Sequence, residues 1–201
     1  MTNSKTILEH IRRYADDAHG DQRRKYLPEQ RYIVHPIRVM ELCEAYENDV
    51  NILAAALLHD VLEDTPISEE ELGRFLQKTI NADDAQKTLR YVVELTDVYI
   101  KADYPHLNRR QRKAKENERL QKISPQAQTI KYADITDNCI EIVQHDTDFA
   151  PLFLRECQDV LDKLDKGNKA LYRRAQEAVS AGLDSVPKSK WNRPTGRSHS
   201  K

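Results

Sequence analysis

The longest apolar run in the chain, ILAAALL at residues 52–58, ends directly on four ionisable residues within six positions: His59, Asp60, Glu63 and Asp64. Asp49 stands where a cap belongs, so the spacing predicts a helix over residues 50–63 that is apolar almost all round. Such a helix must be the buried centre of a fold whose other helices cover it. The run is far too short for a bilayer, which takes roughly 20 residues. The chain has only five glycines, two of them before residue 167, and its apolar spacing is helical nearly throughout. The expected fold class is therefore all-α, a helical bundle.

Other elements follow from periodicity and caps. Ile7, Leu8, Ile11, Tyr14, Ala15 and Ala18 share one face of a first helix that ends near His19 and Gly20. A polar loop over residues 20–32 leads to a second helix opened by Pro36. Ser68 to Glu71 form a capping box, with Ile67 and Leu72 as its hydrophobic staple. A helix is predicted over residues 81–96, a loop over 97–107, and a strongly charged helix over 108–122. Ser124 and Pro125 open a helix through Ile130, Ala133, Asn138 and Ile142. Pro151 opens the last long helix, which carries Leu154, Cys157, Val160, Leu161, Leu164 and Leu171.

Composition narrows the class of function. Lys plus Arg number 32 against 33 Asp plus Glu, so the domain as a whole is not a basic footprint for nucleic acid. The balance is uneven, with five basic residues and no acid in residues 186–201. The expected division is one folded domain over residues 1–180 and a disordered basic tail over 181–201, the latter read from Pro187, Pro194, Gly196 and its serines. Cys43, Cys139 and Cys157 form no CxxC pair and are expected as small core hydrophobes. The N-terminus has no secretory pattern, and the expectation is a cytoplasmic protein with no membrane partner. No pattern specifies an oligomer.

The chemistry concentrates at residues 59–64. His59 and Asp60 lie about 100° apart around a helix, close enough to meet one cation from neighbouring directions. Glu63 follows one turn after His59, and Asp64 one turn after Asp60. That set suits a divalent ion together with acid–base work on water. The plainer alternative is a hydrogen-bonded pair at a helix end with Glu63 and Asp64 solvated. Two further residues bear on the choice: His35, just before Pro36, and Asp134 in KYADITDN, where an unpaired carboxylate beside an apolar face would be costly.

The ordered set of a His, a His-Asp pair and a distant Asp resembles the HD-domain metal-dependent phosphohydrolases. AHGDQRRKYLPEQRYIVHPIRV, LAAALLHDVLEDT, VVELTD and TIKYADITDN, in that order, are similar to the hydrolase domain of the RelA/SpoT homologues and especially to small alarmone hydrolases. The resemblance implies that His35, His59, Asp60 and Asp134 hold Mn²⁺ or another divalent cation, with Glu63 and Asp64 managing protons around the attacking water. Two imidazoles and two carboxylates leave open positions on an octahedral ion, which favours Mn²⁺ over a closed tetrahedral zinc site. Arg24 and Lys25 match a basic pair that contacts the guanosine nucleotide, and Asn138 matches a nucleoside-contacting Asn. The implied reaction removes the 3′-pyrophosphate of guanosine tetra- or pentaphosphate, returning GDP or GTP and ending the stringent-response signal.

The chain departs from the family pattern at Ile140-Glu141 and at Arg31 and Val34. Two alternatives stay open beside the alarmone: an HD phosphohydrolase acting on another nucleotide, such as a nucleoside monophosphate or NADPH, and a non-catalytic nucleotide sensor. Arg109, Arg110, Arg112, Lys113 and Lys115 either reach polyphosphate or form a solvated face. Tyr32 either packs beside the base or fills the loop. His19, His106 and His145 are expected as structural or surface residues.

Overall fold

A computed structural model describes residues 4–187. Its elements are α1 (Ser4–His19), α2 (Val34–Glu44), α3 (Val50–Leu58), α4 (Val61–Asp64), α5 (Glu69–Thr79), α6 (Ala82–Leu95), α7 (Arg109–Leu120), α8 (Pro125–His145), α9 (Ala150–Leu161) and α10 (Lys169–Ser185). Among the described residues there is no strand, only an isolated antiparallel bridge between Arg23 and Arg31. The fold is all-α. No helix among these residues is long and apolar enough to cross a membrane.

Two helices organise the core. Every residue of α3 from Asn51 to Leu58 is buried, and α3 packs against α1, α2, α6 and α8. The Asp49 carboxylate accepts from Asn51 N, satisfying one of the helix's free N-terminal donors. The second central helix, α8, packs against α2, α3, α6, α9 and α10. It opens on Pro125 behind a Ser124 cap, and its buried Thr129 and Thr136 hydroxyls donate to carbonyls one turn back. The capping box at Ser68 and Glu71 is present.

Four stretches differ from the sequence expectation. The helix predicted over residues 50–63 breaks at His59 and Asp60 and resumes as α4. Asp60 has φ −95° and ψ −6°, in the bridge region between helix and strand. The single last helix is two, α9 and α10, parted at residues 162–168. A Cβ on Gly167 would lie 2.6 Å from Tyr132 Cε2 and 2.8 Å from Thr129 N, so only glycine lets the chain turn this close to α8. The α2 helix begins at Val34, ahead of Pro36. Finally, α10 runs to Ser185 with Val186 buried behind it, five residues into the stretch expected as a tail. Residues 188–201 of that tail, with Trp191, Pro194 and Gly196, lie outside the described residues.

Candidate active site

The break between α3 and α4 sets the site. Ending α3 at Leu58 frees carbonyls, and the His59 ring takes one of them: its Nδ1 donates to Ala56 O at 2.8 Å. This fixes the tautomer and turns Nε2 inward. Nε2 is buried and makes no hydrogen bond, although Asp60 Oδ1 lies 3.2 Å away and Asp134 Oδ1 3.8 Å away. His35, on the first turn of α2, is anchored in the same manner. Its Nδ1 donates to Asp137 Oδ2 at 2.6 Å, and its Nε2 lies 3.2 Å from Asp134 Oδ1 and 3.6 Å from Asp60 Oδ2.

His35, His59 and Asp134 thus offer three buried ligand atoms within 4.8 Å of one another, with the Asp60 carboxylate beside them. Two imidazoles pinned at Nδ1, one with an orphaned Nε2, and carboxylates facing them fit a divalent cation. Burial alone would raise the Asp134 carboxyl. The Lys131 ammonium, 2.9 Å away, and the two histidines outweigh burial and hold it well below the usual carboxylate range. Burial likewise pulls His59 down, but Asp60 and Asp134 raise it to about 9.

The acidic pair after His59 and Asp60 is not merely solvated. Tyr32 Oη lies 2.8 Å from Asp60 Oδ2 and 2.7 Å from Asp64 Oδ2, joining the two carboxylates. Burial first, then these carboxylates, push the Tyr32 hydroxyl far up, so it stays a protonated donor. Its ring stacks on His19, which is buried and not a surface residue. Glu63 accepts from the Asp97 amide at 3.3 Å.

These groups line a cavity of about 450 Å³ together with Arg24, Lys25 and Asn138. The small bridged loop at Arg23 and Arg31 carries Arg24 inward, where it is buried against Glu141. Lys25 Nζ lies over the Tyr26 and Phe149 rings. Asn138 Nδ2 donates to Asp134 Oδ1 at 2.5 Å, and its Oδ1 accepts from Arg24 at 3.3 Å. From α7, Arg109, Arg112 and Lys113 line the cavity. Arg109 is already held bidentate by Glu156, both bonds at 2.7 Å. Buried Glu116 fastens this helix to the loop before it by accepting the Val98 and Tyr99 amides, each at 3.1 Å.

Sequence reasoning missed Asp137, Lys131 and Arg38. Asp137 and Lys131 sit three residues either side of Asp134 on α8, so each shares its face. That spacing was a usable signal; Arg38, whose partner Asp137 is 99 residues away, had none.

Residues 32–139, more than half the chain, match the sequence pattern of the HD domain family. The chain belongs to the HD domain family. HD domains are metal-dependent, and the buried His35, His59 and Asp134 lie inside the matched region. This HD domain is similar to the guanosine-3′,5′-bis(diphosphate) 3′-pyrophosphohydrolase MESH1 of Drosophila melanogaster, 37% identical over 127 residues. The match covers 62% of this chain and 63% of that relative. MESH1 of Danio rerio is 31% identical over 134 residues, 66% of this chain and 67% of the relative. The match to the bifunctional (p)ppGpp synthase/hydrolase SpoT of Escherichia coli, 38% identical, spans 33% of this chain and 9% of SpoT. A solved structure, described as a metazoan ortholog of SpoT that hydrolyzes ppGpp and plays a role in starvation responses, superposes with a TM-score of 0.75. It is 28% identical, and the match covers 91% of this chain and 99% of that one.

Proposed function

We propose that this HD domain hydrolyses the 3′-pyrophosphate of guanosine tetra- or pentaphosphate, with Mn²⁺ held by His35, His59, Asp60 and Asp134. The observation that carries the reading is the inward-facing cluster of His35, His59 and Asp134 on the wall of a nucleotide-sized cavity, in a chain similar to proteins named for this activity. When bound, a divalent ion supplies charge for the phosphate oxygens and lowers the pKa of water.

The chain's own residues do the rest. Glu63 and Asp64 take the proton of the attacking water as its oxygen bonds phosphorus. They return a proton to the ribose 3′ oxygen as its bond to phosphorus breaks, leaving GDP or GTP and pyrophosphate. Tyr32 holds Asp64 in place for that transfer. Arg24 and Lys25 bind the nucleotide, Arg24 with a plane suited to a base and Lys25 as a point charge for phosphate. Neutralising the proton carriers tests this division: Glu63→Gln and Asp64→Asn are expected to cut kcat by on the order of 10²-fold while Mn²⁺ and nucleotide still bind.

A second reading, an HD phosphohydrolase acting on another nucleotide, is favoured by the engagement of Arg24 with Glu141 at a position where the sequence departs from the family pattern. Incubating the pure protein with Mn²⁺ and a panel of guanosine tetraphosphate, nucleoside monophosphates and NADPH, with products separated by ion exchange, decides between them. Release of pyrophosphate from guanosine tetraphosphate alone is the expected result; cleavage of another nucleotide in its place keeps the HD chemistry and removes the alarmone.

A further inference from the structure

One closed ring of polar side chains joins the ligand cluster to the nucleotide-facing arginine. His35 Nδ1 donates to Asp137 at 2.6 Å, and Asp137 accepts Nε and Nη2 of Arg38 at 2.6 and 2.9 Å. Arg38 Nη2 also donates to Glu141 Oε2 at 3.0 Å. The same oxygen accepts Arg24 Nε and Nη2 at 3.2 and 3.0 Å. Arg24 Nη2 donates to Asn138, Asn138 donates to Asp134, and Asp134 Oδ1 returns to within 3.2 Å of His35 Nε2.

Glu141 is the joint of this ring. It is 7% exposed and Arg24 8%, so the pair is withdrawn from water, where a guanidinium stripped of its carboxylate is left buried and uncompensated. Two nitrogens on one edge of Arg24 are committed to a single oxygen, which fixes the plane of the group. Its Cζ stands 5.4 Å from the centre of the Tyr32 ring.

We infer that Glu141 is a positioning residue for nucleotide binding: it sets the plane and reach of Arg24 and ties that setting to the frame that holds His35. This rests on the nucleotide reading of the site given above. Glu141 acts through Arg24, so its contribution vanishes when Arg24 is gone.

The test is a double-mutant cycle in the full chain with wild type, Glu141→Gln, Arg24→Ala and the double variant. It is read as KM and kcat for guanosine tetraphosphate with Mn²⁺ and as Kd for GDP by calorimetry. Glu141→Gln is expected to raise KM and Kd by on the order of 10-fold, to change kcat far less, and to add nothing in the Arg24→Ala background. A merely structural role would lower kcat through loss of folded protein and leave KM in place. Unchanged KM and Kd, or an equal rise without Arg24, overturns the inference. So does a fall in kcat and Mn²⁺ affinity at constant KM, which would place the effect on His35. Should Glu141→Gln lose its helical circular dichroism, Glu141→Asp, which keeps the charge but shortens the reach, carries the same cycle with the same outcomes. Wild-type protein that binds GDP but cleaves no guanosine tetraphosphate removes the hydrolase reading and leaves the Kd cycle to decide Glu141. Failure to bind any guanine nucleotide overturns both.

Discussion

Each imidazole of the cluster is useful only because something holds its other nitrogen. For His35 that anchor is Asp137, whose carboxyl is raised by burial but lowered overall by His35 and Arg38. Asp137→Asn removes the charge and is expected to weaken Mn²⁺ binding by about 10- to 100-fold, read from thermal shift against metal concentration. An unchanged affinity would separate Asp137 from the site. His59 supplies a pH dependence. Raised to about 9 in the metal-free protein, it contributes stability that is present below the ordinary histidine range, about 6.5, and is lost as pH climbs through its folded value. A cation needs Nε2 without its proton. Mn²⁺ affinity is therefore expected to rise between pH 6.5 and 8.5, by up to about tenfold per unit, with proton release visible in calorimetry across buffers of different ionisation enthalpy. A flat affinity over that window would contradict the assignment of His59 as a ligand.

At the scale of elements, two helix breaks matter most. The α3–α4 junction ends the buried helix where its charged residues begin, so His59 can satisfy a carbonyl of its own helix while Asp60 turns beside it. The α9–α10 junction depends on Gly167 lying against α8, followed by Asn168, whose side chain accepts the Ala170 and Leu171 amides. Gly167→Ala forces Tyr132 or the α8 backbone to move, and urea denaturation is expected to show a loss of about 1–3 kcal/mol. Stability equal to wild type would mean that this corner yields freely.

Across the whole molecule, the proposed ligand set joins three separate parts of the chain: α2 through His35, the α3–α4 junction through His59 and the adjacent Asp60, and α8 through Asp134. The unfolded chain offers no such constellation, so metal binding is linked to folding. Mn²⁺ at about 100 times its Kd is expected to add about 2.7 kcal/mol and raise Tm, and a chelator should reverse the shift. His59→Ala and Asp60→Ala should each abolish turnover and shrink that Tm shift. Full Mn²⁺-dependent activity in either variant would remove the residue from the ligand set.

The sequence by itself determined the helical class, the buried run at residues 52–58, the caps at Asp49, Ser68 and Ser124, and the residue types able to meet a cation, because periodicity, caps and uncompensated charge are local properties. It also carried the family resemblance that selected His35 and Asp134 from among other histidines and carboxylates. The tertiary structure decided the rest. The 50–63 helix breaks where Asp60 meets His35 of α2 and His59 meets Asp134 of α8, and the last helix divides where the space against Tyr132 admits only glycine. The ring through Asp137, Arg38, Glu141 and Arg24 joins residues up to 117 positions apart. No local rule reaches that far: whether such groups meet is fixed by helix packing, and only then does burial make each hydrogen bond and charge count.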